Sequence, residues 1–249
     1  MTEQELYNRI NGQSAPGTGF SVNEKERGLS NTFSVLMRKV YMWMAMALAI
    51  TGVTAYGVAN STLIYTIYSN SAIMWGLLIA EFALVIAVSA GINKLSLSTA
   101  TLLFILYSVV NGATLSAIFV VYSSAVIAKV FLITAGTFGA MAFYGYTTKK
   151  DLTSFGKILF MALIGLCIAT IVNIFLKSPG FDYILSYVGV VIFVGLTAWD
   201  SQKIKQMLQT QYDMSEGAQK LALLGALTLY LDFINLFLYL LKIFGKNRD

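Results

Sequence analysis

The chain has 249 residues, of which 57 % are apolar and only 12 % charged, against roughly 45–50 % and 25 % in soluble proteins. A chain of this composition cannot cover itself with polar surface, so its solvent is the lipid bilayer. It carries no histidine and a single cysteine, which excludes internal disulfides, His-ligated metals and histidine-dependent nucleophilic catalysis, and its formal charge of +5 is read by position, because basic residues in membrane proteins report orientation.

Residues 1–37 contain Gly12, Pro16, Gly17, Gly19 and the mixed charges Glu24-Lys25-Glu26-Arg27. That composition predicts a flexible cytoplasmic tail, too long and too mixed for a signal peptide. Residues 38–245 then form one membrane domain. A helix needs roughly 20 mostly apolar residues to cross the hydrocarbon, and seven stretches qualify: Val40–Val58, Ala72–Ile92, Ala100–Tyr122, Ala125–Tyr146, Ile158–Leu176, Tyr183–Trp199 and Leu221–Leu241. The sixth is short and is expected to continue as helix past Asp200 toward Met207. The fold class is therefore an all-α integral membrane bundle of seven transmembrane helices. With the N-terminus in the cytoplasm, twelve of the 17 Lys and Arg fall on the inner side, the bias expected of cytoplasmic segments. Basic residues spread over several loops give no nucleic-acid surface.

An ionisable side chain inside a span is costly and marks a candidate site. Glu81 lies midway along the second stretch, Asp232 at the centre of the last, and Asp200 at the end of the sixth, just before Lys203 and Lys205. No basic residue stands at the depth of Glu81 or Asp232. These carboxyls must be protonated, paired with one another or ligating a cation. In the last stretch Thr228, Asp232, Asn235, Tyr239 and Lys242 recur at steps of four and three, which puts them on one helix face. Ser108 and Asn111 share a face in the third stretch, and Thr170 and Asn173 share one in the fifth. Ala135 with Gly139, Gly136 with Ala140, and Gly112 with Ser116 are small-residue pairs suited to close helix contact. Simple counting opposes a meeting of the two aspartates, since Asp232 lies roughly 17 Å of helix beyond Leu221. They meet only if the sixth helix runs on or the last is displaced.

Four segments carry a resemblance to a known family. They are Asn111-Gly112-Ala113-Thr114-Leu115-Ser116, Tyr144 through Leu152, Gly195 through Ile204, and Leu229-Tyr230-Leu231-Asp232-Phe233-Ile234-Asn235-Leu236-Phe237. In order and spacing they resemble the Bax inhibitor-1 family in its bacterial branch, over roughly residues 30–245. The resemblance implies a bundle with the last helix near the centre, and a pH-sensitive calcium leak channel of the bacterial inner membrane, opened by acid. It assigns Asp200 and Asp232 as the proton sensor and pore lining. Two carboxylates held close do not both ionise readily, so such a pair is a proton switch. Ionised, their oxygens suit calcium, a hard cation, with Glu81 as a further ligand or vestibule charge and Asn235 and Thr228 as supporting ligands. A basic latch for the first aspartate is expected near residue 91. Here the chain has Gly91, and Lys94 is the nearest substitute.

The expected partners are the bilayer and the calcium ion, with no cofactor and no enzymatic activity. An intramembrane aspartyl protease would carry Gly-x-Gly-Asp where this chain has Leu229-Tyr230-Leu231-Asp232. A retinal protein would need a lysine midway along the last helix, whereas Lys242 lies at its end. The alternative that stays open is a non-conducting membrane regulator that binds a membrane-bound protease or translocon.

Overall fold

A computed structural model describes the backbone of residues 22–245 and the side chains from Ser30 onward. Nine helices run in order among the described residues: α1 (Val22–Ala59), α2 (Leu63–Ser69), α3 (Ser71–Gly91), α4 (Leu97–Leu115), α5 (Ile118–Val121), α6 (Ser124–Thr147), α7 (Thr153–Leu176), α8 (Pro179–Gln209) and α9 (Glu216–Phe244). Seven segments are long and apolar enough to cross a membrane, the third being α4 continued through α5 to Val121. Short polar links set the ends. The Ser96, Ser123, Ser178 and Ser215 hydroxyls accept from the backbone N–H three residues on, capping α4, α6, α8 and α9, the usual remedy for unpaired N-terminal donors. Lys177, in the left-handed region at φ 48°, closes α7 before Pro179 opens α8.

The first helix departs from the expected tail. It begins at Val22, so residues 22–37 are helical, while residues 1–21 lie outside the described part of the chain. The reason is visible in spacing. Leu36, Met37, Val40, Met44 and Ala47 are all buried and recur at helical intervals, and Phe33 stacks on Tyr146 at a centroid distance of 6.3 Å. Of the polar residues among them, Ser34 and Arg38 are exposed, while Lys39 is half-buried.

Helix α9 is the axis of the bundle and packs against α8, α1, α6 and α4. Two-thirds (67 %) of its most apolar stretch is buried by protein, against 6 % for α3. Helix α3 leans on α4 and α2, and α7 leans on α8; their outer faces are left for lipid. Without a hydrophobic force between helices in lipid, close backbone approach does much of the holding. Gly145 on α6 sits so near α8 that a Cβ there would come within 2.0 Å of the Ala198 carbonyl. Gly112 on α4 is also close, a Cβ there coming within 2.6 Å of the Thr51 carbonyl of α1. By contrast, Gly136 and Gly139 face open space, so of the three small-residue pairs only the one containing Gly112 is a close contact.

Candidate functional site: two acidic centres on opposite sides of one helix

Helix α8 continues unbroken to Gln209, which carries Asp200 into the bundle and removes the difficulty of depth. Asp200 and Asp232 are both buried, at 7 % and 5 % exposure. Their carboxyls lie within hydrogen-bonding reach of each other across the α8–α9 contact. Asp232 Oδ2 and the neighbouring Ser201 Oγ are buried without a hydrogen-bond partner, and the Tyr41 hydroxyl of α1 points toward Ser201. The cation whose field reaches Asp200 is Lys203, on the same helix, its ammonium 5.0 Å from the centre of the Trp199 ring.

The turn of α8 that bears Asp200 is fixed from the side. The Gln202 side chain accepts from Leu152 N–H and donates to the Lys150 carbonyl, each at 2.8 Å. Lys205 Nζ donates to the Tyr146 carbonyl at 2.8 Å. The segments Tyr144–Leu152 and Gly195–Ile204 are thus two halves of one contact, with Gly145 as its closest point. The sequence marks both segments as resemblance-bearing, but nothing in it says that they meet.

On the other side of α9 lies a second centre. Glu81 of α3 faces Asn111 and Thr114 of α4, and its Oε1 is buried without a partner. The fully buried Tyr230 hydroxyl bridges Thr51 of α1 at 2.7 Å and Asn111 of α4 at 3.3 Å. Asn111 Nδ2 donates to the Tyr107 hydroxyl at 3.4 Å, and Thr51 donates to the Ser108 carbonyl at 3.0 Å. Nothing in the sequence marks Tyr230 and Thr51 as the hinge of this network, because a tyrosine and a threonine in a span are ordinary packing residues.

The geometry corrects two expectations. Among the described residues, no three acidic or cysteine side chains converge on a metal-sized site. Glu81 belongs with α4 and does not join Asp200 and Asp232, so the three-carboxylate calcium set is split in two. The sequence could not foresee this, since depth along a helix says nothing of the helix it faces. Lys94, the substitute latch, is exposed in the turn after α3 and enters neither ion pair found among the described residues. The cation whose field reaches Asp200 is Lys203.

The predicted polar face of α9 does turn toward α8. Tyr239 stacks on Phe193 and against Gly189, and Lys242 pairs with Asp182 at 2.9 Å. Thr228 and Asn235 donate to the Leu224 and Leu231 carbonyls of their own helix, at 3.1 and 2.8 Å, and form no hydrogen bond with either aspartate. Asn173 accepts from Ser178 N–H at the end of α7, a structural role.

The family model described as "Inhibitor of apoptosis-promoting Bax1" matches residues 33–249. The chain belongs to the Bax inhibitor-1 family. It is 52 % identical over 215 residues to "Inner membrane protein YbhL" of Escherichia coli K12, covering 85 % of this chain and 92 % of that protein. It is 46 % identical over 214 residues to an uncharacterized protein of Borreliella burgdorferi, covering 86 % and 92 %. With an uncharacterized protein of Rickettsia prowazekii it shares 43 % identity over 213 residues, covering 86 % and 90 %. Seven apolar spans and a relative named for the inner membrane support a multi-pass inner membrane protein. For this Bax inhibitor-1 family chain, the aspartates that the resemblance pointed to are the two carboxyls that meet.

Proposed function

We propose that the protein is a pH-sensitive calcium leak of the inner membrane, with its N-terminus in the cytoplasm, closed at the Asp200–Asp232 contact. The observation that carries this reading is the buried pair itself, joining the two most central helices with one carboxylate oxygen left without a partner. A carboxyl pair in contact shares a proton. With one proton in place, Asp232 donates to the Asp200 carboxylate, which faces the field of Lys203. A charge-assisted bond of this kind is roughly twice as strong as a neutral one, so it latches α8 to α9. A second proton converts it to a neutral bond and loosens the latch, which gives opening by acid. Neutral carboxyls also bind a passing divalent cation less tightly, and a conducting site must let its ion leave. Glu81 supplies a separate negative charge along the route. No catalytic step and no cofactor enters.

The test is calcium entry into dye-loaded liposomes holding the purified protein, from about pH 6 to pH 8. Flux above that of empty liposomes, rising toward acid, supports the reading. Flux no greater than empty liposomes overturns it and leaves the non-conducting regulator, whose protease or translocon partner would then be sought by co-purification.

A further inference from the structure

Helices α1 and α6 both rest on α8 and α9, and between them they leave a cleft of about 660 Å³, within the range of about 300–1,000 Å³ typical of ligand pockets. Its walls are apolar side chains such as Met37, Met44 and Leu48 of α1 and Phe138 and Ala142 of α6, and Phe233 of α9 forms its floor. One strongly polar group stands at its rim. Arg38 is exposed there, while the adjacent Lys39 is directed elsewhere and donates to Gln219 at 2.6 Å. Arg38 enters no ion pair among the described residues. Lys149, Lys150 and Lys157 lie at the same end of the bundle, where the exposed Asp151 accepts from Thr153 N–H.

We propose that this cleft is a lipid site, in which one acyl chain of an anionic phospholipid lies against Phe138 and Phe233 with its phosphate on Arg38. An apolar slot with a guanidinium at its membrane-surface end matches the two halves of that molecule. Basic pockets between spans are known to take anionic headgroups, and the planar guanidinium suits a phosphate bidentately. The cleft also touches the aspartate centre. Tyr41 lines it and points toward Ser201, next to Asp200, and Phe233 adjoins Asp232. A chain lodged there braces α1 against the latch. This last consequence rests on the leak reading, whereas the binding itself does not.

The experiment measures binding alone, on the full-length protein in vesicles of equal phosphatidylglycerol and phosphatidylcholine. Trace phosphatidylglycerol bearing a diazirine on its acyl chain is photolysed, and the labelled residues are located by mass spectrometry. Label should concentrate on the cleft residues of α1 and α6 over the lipid-facing residues of α7. Gly139 lines the cleft and Gly136 does not, and neither has any atom within 4 Å of an added Cβ. Gly139→Leu should therefore reduce cleft labelling by about tenfold, while Gly136→Leu leaves it unchanged. Arg38→Gln should remove the preference for the phosphatidylglycerol probe over the same probe on phosphatidylcholine. Even labelling of α1, α6 and α7, equal effects of the two glycine variants, a wild-type protein that does not distinguish the probes, or a co-purified polypeptide shielding the cleft would each overturn the proposal. Calcium flux is recorded separately, so loss of the leak does not count against lipid binding.

Discussion

The two acidic centres flank the same helix, two residues apart on α9, yet they are built in opposite ways. Both centres leave one carboxyl oxygen without a partner, but at Asp200 and Asp232 a carboxyl meets a carboxyl. At Glu81 a single carboxyl sits beside amide and hydroxyl groups of Asn111, Thr114 and Tyr107, tied through Tyr230 to α1. The first joins the central helices α8 and α9; the second joins the peripheral α3 to α4. A bilayer tolerates a buried acid when a second group shares its proton or when polar neighbours surround it. In the proposed mechanism only the first arrangement makes helix packing depend on proton count. The second ties its helices through the amide and hydroxyl groups of Asn111, Tyr230 and Thr51.

This contrast can be broken from either side. The largest effect is expected at Gly145. Gly145→Val places a side chain on the Ala198 carbonyl, and overpacking of this kind costs about 1–3 kcal/mol. Thermal unfolding in detergent should fall accordingly, and the pH dependence of flux should be distorted, because α6 no longer supports the Asp200 turn. Tyr230→Phe comes next. It removes the hydroxyl between Thr51 and Asn111 and should cost about 1 kcal/mol, in the upper part of the range measured for hydrogen bonds between membrane helices. Its pH profile should match wild type. The smallest effect is expected at Lys242, whose pair with Asp182 is nearly half exposed on both sides; Lys242→Ala should change stability by no more than about 0.5 kcal/mol. A larger loss there would mean that the outer ends of α8 and α9, and not the aspartates, hold the pair together.

Much of this is legible in the sequence, for physical reasons. Spans are long apolar runs, and the bilayer imposes their length, so all seven were placed. Helical period put Asp232, Tyr239 and Lys242 on one face, and that face lies on α8. The aspartate meeting hung on whether α8 continued past Trp199, which is a matter of local sequence. Period cannot tell which neighbour a face will meet, so Glu81 was grouped with the aspartates and Lys94 was set against Asp200. The polar residues before Val40 hid a helical spacing of Phe33, Leu36 and Met37. Tyr230 and the Gln202 clamp were invisible because their roles exist only once helices are packed.

The most direct measurement of the central claim is the pH profile of calcium entry for wild type, Asp200→Asn and Glu81→Gln in parallel liposomes. The account predicts that Asp200→Asn conducts at pH 8 about as well as wild type does near pH 6 and is flat between them. Glu81→Gln should keep the wild-type midpoint, whatever its effect on the size of the flux. A profile that survives Asp200→Asn and vanishes in Glu81→Gln would contradict the account and place the proton switch on the other side of α9.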